Sequence, residues 1–381
     1  MPPPRLWIPG LASILLLGIS ALTLQPYAGN PTAFFHMDTV IPADHPLPPH
    51  FVVLDLPSYD GAQYYQIARN VPLFFSVKGW MEIATTSPGA YAYQRILLPA
   101  AAYVLALGQV RLLPWSFLLI NLLSLLGACI LVARTGRDNG IYALALAFSP
   151  AAMVALHFSL AEPLSLVLLT AFLLRYRVRE RLETADVLLL LLFVLTREVN
   201  ILFIGCLLLY SLWKRRWHDL FLLVIPCTAF LALHTLIYKI FDQIPFLMSA
   251  EKRTWPFMAI VELLSGARDF NRYTLSGIAL FVGFVLPALL WTIWTIVRRK
   301  DHSFLALTTL AFLLVMTTMP DHIWGSITSI GRVITPVYPL FVLLASEHDT
   351  NVSRVLAGVL LLIGLTTGIG LALTLHPFTL S

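Results

Sequence analysis

Long apolar stretches recur from one end of this chain to the other, with only short polar or Arg-rich punctuation between them, and no other feature constrains the fold as strongly. A helix needs about 20 apolar residues to cross the ~30 Å hydrocarbon core of a bilayer, where every backbone N–H and C=O must be bonded within the helix because no water reaches it. Of the 381 residues 58% are hydrophobic and 12% charged, which leaves too little polar surface for a water-soluble globule. The predicted fold is all-α: a polytopic transmembrane helical protein forming a single integral membrane domain over residues 1–381.

Hydropathy predicts about eleven spans, at 8–24, 113–133, 141–158, 163–175, 185–197, 199–213, 219–240, 275–297, 303–319, 333–346 and 353–374. The stretches 163–175 and 185–197 are short, and snorkelling Arg side chains at their flanks extend them. The stretch 96–110 decides the topology. If it does not cross, the turns with Arg134 and Arg137, with Arg175 to Arg181, with Lys214 to Arg216 and with Arg298 to Lys300 share one side, which the positive-inside rule makes cytoplasmic. It carries Pro99 and is therefore predicted to lie in the outer interface. Residues 25–112 become a long first extracytoplasmic loop with interfacial helices, and smaller outer loops fall near 157–163, 197–199, 241–274 and 320–332. Arg5 precedes an apolar run with no clean small-x-small site after it, so an uncleaved first span is expected. The expected location is the cytoplasmic (inner) membrane, multi-pass, with the functional face outside.

Several function classes drop out. Cys129, Cys206 and Cys227 sit inside apolar runs as small hydrophobes, and the net charge of +5 is spread over short turns rather than massed in a nucleic-acid-binding patch. No nucleotide-binding glycine loop occurs. His36, Asp38, Asp44, His45 and His50 lack the spacing of a metal site and are interrupted by prolines, which reads as a solvated loop. Trp80, Trp115, Trp213, Trp217, Trp255 and Trp324 fall near span ends, as an interfacial belt requires.

The outer loops carry ionisable side chains at span ends: Asp60 and Arg69, His157 and Glu162, Arg197 and Glu198, Asp321, His322 and Arg332. Charges at membrane depth cost a few kcal/mol each, so their recurrence on one face points to a shared polar site. Each also has a plain structural explanation. Asp60 with Gln63 three residues on reads as a helix-capping pair, Glu162 beside Pro163 as a helix start, and Arg197 as the partner of its neighbour Glu198. Arg332 follows Gly331 at the outer start of a span with no acid beside it, and His157 reads as a histidine bonded to a carbonyl.

The string Tyr59-Asp60-Gly61-x-x-Tyr64-Tyr65-x-Ile67-Ala68, early in the first outer loop, resembles the first-loop signature of the GT-C membrane glycosyltransferases, closest to bacterial mannosyltransferase-like and cell-surface glycopolymer proteins. Tyr93-Gln94-Arg95-Ile96-Leu97-Leu98-Pro99, Ser149-Pro150, Ala161-Glu162-Pro163-Leu164, Leu195-Thr196-Arg197-Glu198 and Gly331-Arg332-Val333 extend the likeness over nearly the full length. The resemblance implies a polyprenyl-phosphate sugar donor, an extracytoplasmic glycan, lipid or protein acceptor, and direct inverting transfer. It implies Asp60 as catalytic carboxylate with Glu162 as a second acid, and Arg197, Arg332 and Arg95 as donor-phosphate ligands; Gln63, Tyr64 and His322 are the expected substrate contacts. Some members use a divalent cation at the first-loop acid, so a cation at Asp60 stays open; no other cofactor is expected. The rival readings are a flippase or transporter of a lipid-linked saccharide, which the absence of an internal repeat disfavours, and a noncatalytic envelope-assembly scaffold.

Overall fold

A computed structural model describes residues 7–38, 47–48, 50–54, 59–85, 89–135, 139–245, 255–265, 272–333 and 335–374, with the backbone alone for 272–274 and 322. Apolar sequence becomes helix throughout, and among these residues the β pairing is one isolated bridge between Met37 and Val53. Helix α1 (Trp7–Leu24) leads into a loop carrying α2 (Asp60–Asn70), α3 (Val77–Thr85) and α4 (Leu97–Leu105), and α5 (Leu113–Ala133) follows. Next come α6 (Gly140–Ala147), α7 (Pro150–His157), α8 (Glu162–Arg179), α9 (Thr184–Val194), α10 (Ile201–Trp213) and α11 (Trp217–Phe241). Beyond the short α12 (Met258–Leu264), α13 (Arg272–Leu280) passes through a π-helical turn at Phe281–Val285 into α14 (Leu286–Arg299). The chain then forms α15 (Phe304–Thr317), α16 (Asp321–Trp324), α17 (Ile327–Val333), α18 (Val337–His348) and α19 (Asn351–Thr374).

All eleven predicted spans coincide with helix, but they are not equivalent. Among the described residues six runs are long and apolar enough to cross a bilayer singly: Trp7–Tyr27, Val110–Ala133, Gly140–His157, Trp217–Phe241, Leu275–Arg299 and Asn351–Thr374. The bent pair α17 and α18 makes a seventh if taken as one span, whereas Thr184–Val194, Glu198–Trp213 and Phe304–Thr317 are shorter. At 1.5 Å per residue α9 measures about 16 Å, half the thickness of the hydrocarbon core. Helix α4, in the stretch predicted to stay in the interface, has nine residues. That is about 13 Å, and the left-handed residues Leu107 and Gly108 end it. The outward faces of α1, α5, α11, α14 and α19 present large apolar side chains such as Leu17, Leu123, Phe221, Leu290 and Leu362, a surface suited to lipid. Trp115, Trp213, Trp217 and Trp255 are exposed as a belt would be, but Trp324 is fully buried, because Gly277 lets the backbone of α13 close over it.

The centre of the bundle is the broken run α6–α7. Pro150 has no N–H to continue the helix, and Ser149 caps the second half by accepting from the Ala152 N–H at 3.4 Å. Both halves are lined with alanine, including Ala143, Ala147, Ala151 and Ala155, all fully buried. Small side chains allow the close approach that packs helices where lipid supplies no hydrophobic drive between them. Gly364 of α19 lies against the break itself: a Cβ there would stand 1.4 Å from the Phe148 carbonyl oxygen.

Polar side chains collect at two ends of the bundle. At one, Arg175 pairs with Asp186 (2.6 Å), Arg216 with Glu180 (2.8 Å), Arg177 with Glu347 (3.4 Å) and His348 with Asp301 (2.9 Å), so the Arg-rich turns after α8, before α11 and after α14 meet the end of α18. Glu162, at the opposite end of α8, belongs to the second cluster. Eighteen helical residues separate the two ends of α8. That is about 27 Å, close to a bilayer core.

Gly364→Ala is expected to destabilise the protein by about 1–3 kcal/mol or more, because a backbone carbonyl cannot yield as a side chain can. Gly370→Ala on the same helix, with open space around its Cβ, should not. Thermal unfolding of the two variants in detergent separates these outcomes.

Candidate functional site

The second polar end is built on the Tyr59-Asp60-Gly61 turn. Gly61 is seated against the end of α7, where a Cβ would stand 2.0 Å from the Phe158 carbonyl oxygen. Tyr59 packs its ring 4.2 Å from that of Phe158 and donates its hydroxyl to the Thr328 carbonyl at 3.1 Å. These contacts carry Asp60 to α17, the helix that bears Arg332.

Three carboxylates and three guanidiniums meet there, and their charges cancel. Arg95, at the end of a 3-10 turn (Ala92–Arg95), makes two parallel hydrogen bonds to Glu198, Nε to Oε2 and Nη2 to Oε1, both 2.8 Å. Its Nη1 reaches Asp60 Oδ2 at 2.5 Å and lies 3.3 Å from the Tyr64 hydroxyl, while Nη2 also donates to the Tyr91 hydroxyl. Arg332 donates through Nη2 to the same Asp60 oxygen, and its Nε is 3.2 Å from Glu162 Oε1. Its guanidinium carbon sits 4.9 Å from the centre of the Tyr59 ring. Arg197 Nη1 is 3.0 Å from Glu162 Oε1 and also donates to the Arg332 carbonyl and to the Thr335 hydroxyl at 3.4 Å. The two guanidiniums near Glu162 hold it by charge rather than by aligned N–H groups, so among the described residues both Glu162 oxygens and Arg197 Nε lack a hydrogen-bond partner.

Five of the sequence-predicted residues, Asp60, Glu162, Arg95, Arg197 and Arg332, therefore occupy one cluster, with Tyr64 buried behind Arg95. Two sequence readings are corrected. The N-cap of α2 is Tyr59, with no side-chain capping bond; the Asp60 carboxylate faces the guanidiniums instead, and Gln63 makes no hydrogen bond among the described residues. Arg197 does not pair with Glu198, because its backbone is extended (φ −155°, ψ 141°) and consecutive side chains on an extended backbone point to opposite sides. Arg332, without an acid beside it in sequence, has two across space.

The side chain of His322 lies outside the described residues, as do Asp44 and His45. His157 donates Nδ1–H to the Met153 carbonyl at 2.8 Å, which leaves Nε2 to accept from Thr23 at 3.0 Å. His36 is buried with its ring 4.5 Å from that of Phe158. No group of three or more His, Cys, Asp or Glu side chains poised to hold a metal occurs among the described residues. A divalent cation on Asp60 Oδ2 would meet two guanidiniums already there, so the residues as arranged do not fit one. Sequence reasoning names Glu198 among the span-end charges and Tyr59 in the GT-C-like string without giving either a site role, and it misses Tyr91. An extended link between two helices was the available signal for Glu198, since it sends neighbouring charges to different partners.

Burial pushes the Asp60 carboxyl up, but the Arg332 and Arg95 guanidiniums outweigh it and hold the group well below the usual carboxylate range. A depressed folded value gives stability that is fully present above the unfolded pKa, about 3.9, and lost as pH falls from there towards the folded value. The melting-temperature difference between the wild type and Asp60→Asn is therefore expected to be flat from about pH 5 to 8 and to shrink below about pH 4. Comparison with protein-family models, curated proteins and solved structures gives no match.

Proposed function

We propose that the chain is an integral membrane glycosyltransferase that moves a sugar, with inversion, from a polyprenyl-phosphate donor to a glycan, lipid or protein on the extracytoplasmic side. The observation that carries the reading is Asp60 itself: the carboxylate singled out by the GT-C-like string is the part-exposed member of a cluster whose Arg95 and Arg332 converge on it. In this reaction the acceptor oxygen bonds to the anomeric carbon as the carbon–oxygen bond to phosphate breaks. The electron pair leaves with the phosphate and the acceptor's proton passes to Asp60. Arg95 and Arg332 take the charge that develops on the leaving phosphate. Glu162 and Arg197 pair with each other and with Arg332 rather than with Asp60, so their role is to position Arg332 rather than to touch substrate.

The finer topology belongs to the same proposal: a GT-C-like bundle of about eleven crossings, in which α8, the shorter helices α9, α10 and α15 and the bent pair complete the set. Positive-inside logic favours the Arg-rich end as cytoplasmic and the Asp60 end as outer, in an inner membrane.

Membranes containing the wild type are expected to transfer label from at least one member of a panel of radiolabelled polyprenyl-phosphate sugars. Asp60→Asn at matched protein level should lose about 10²- to 10⁴-fold, the worth of a positioned base, and Glu162→Gln should lose less. No transfer by the wild type across the panel, or undiminished transfer by Asp60→Asn, overturns the reading.

A further inference from the structure

The three carboxylates of the cluster are not equivalent. Glu162 and Glu198 are buried, with side chains 1% and 5% exposed, whereas Asp60 is 22% exposed. Each arginine that meets Asp60 also has a buried partner: Arg95 is bonded twice to Glu198, and Arg332 is paired with Glu162, which it shares with Arg197. The two guanidiniums reach Asp60 through one oxygen, Oδ2, and Oδ1 accepts no hydrogen bond among the described residues. Removing Asp60 from this arrangement leaves Arg95 on Glu198 and Arg332 and Arg197 sharing Glu162, three guanidiniums on two carboxylates, with one surplus positive charge.

We propose that Asp60 is the exchangeable counter-ion of an anion fork: a lipid-borne phosphate ester takes its place on Arg95 and Arg332, and that displacement frees the carboxylate. The inference deepens the glycosyl-transfer reading and rests on it for the natural ligand. A phosphate presents several acceptor oxygens to the two convergent N–H groups, where the carboxylate offers one, so exchange keeps both guanidiniums bonded. Once free of its cations and still partly buried, Asp60 regains affinity for a proton and becomes a competent base only after the donor has bound. The order of events is thereby built into the site: phosphate first, proton abstraction second.

The test is binding of farnesyl phosphate to the purified full-length protein in detergent. Asp60→Asn, which deletes the competing anion, is expected to bind at least tenfold more tightly than the wild type, and Arg332→Gln at least tenfold more weakly, with farnesol unaffected by either change. Equal or weaker binding by Asp60→Asn overturns the proposal. Wild-type protein supplies a measurement independent of any variant's folding: an infrared difference spectrum on adding farnesyl phosphate should show a carboxylate stretch moving as Asp60 leaves the guanidiniums, and a silent carboxylate region also overturns it. Inorganic phosphate should compete at least tenfold less well than farnesyl phosphate, and parity overturns the lipid-borne source. Neither measurement reads sugar transfer. Tighter binding by Asp60→Asn without transfer by the wild type upholds the fork and sinks the glycosyltransferase reading, and the reverse pattern does the opposite.

Discussion

Six charges stand at one end of an apolar bundle, and they can do so because each is neutralised by another. An isolated buried ion costs several kcal/mol even after the protein relaxes around it, and removing one partner of a buried pair typically costs about 3–5 kcal/mol. Arg95 and Asp60 come from the first loop, Glu162 from the start of α8, Arg197 and Glu198 from the link before α10, and Arg332 from α17. Their pairing is thus the constraint that ties the first loop to the bundle. A loop that swung away would strand Glu198 without its two bonds and leave Arg332 with one acid instead of two.

Backbone proximity places those charges. The broken run α6–α7 is the hub, and glycines let other elements reach it: Gly364 at the Phe148 carbonyl, Gly61 at the Phe158 carbonyl, and Gly331, whose Cβ would lie 3.2 Å from Pro150. The last two flank the site directly. Gly61 follows Asp60 and Gly331 precedes Arg332, so the close contact and the charge are adjacent in sequence on both sides of the same ion pair. Motif pairs that look unrelated along the chain, Ser149-Pro150 with Gly331-Arg332 and Tyr59-Asp60-Gly61 with the end of α7, are the two sides of one packing surface.

Much of this was legible without coordinates. The apolar stretches mark the helices to within a few residues, because a backbone in an apolar medium has few alternatives to helix. The recurrence of ionisable residues at span ends announces a shared polar site, because charges at that depth demand partners. Local rules misled where a tertiary partner outbid a local one. Asp60 and Gln63 have the spacing of a capping pair, but two guanidiniums offer the carboxylate more than a backbone N–H does. Trp324 has the position of a belt residue but lies under the backbone at Gly277. Hydropathy also counted α9, α10 and α15 alongside helices of full bilayer length, since a window measures apolarity and not where a helix ends.

What the amino-acid sequence determined by itself is the class of the molecule: all-helical, membrane-embedded, with Asp60, Glu162, Arg95, Arg197 and Arg332 set apart by their cost in an apolar medium. Which charge meets which was decided only by the tertiary structure. Pairing depends on the direction of each side chain, and that is set by an extended residue at Arg197, a 3-10 turn before Arg95 and the seat of Gly61 on Phe158. None of these can be read from spacing along the chain, because the atoms that meet at Asp60 Oδ2 are 35 and 272 residues away from it in sequence.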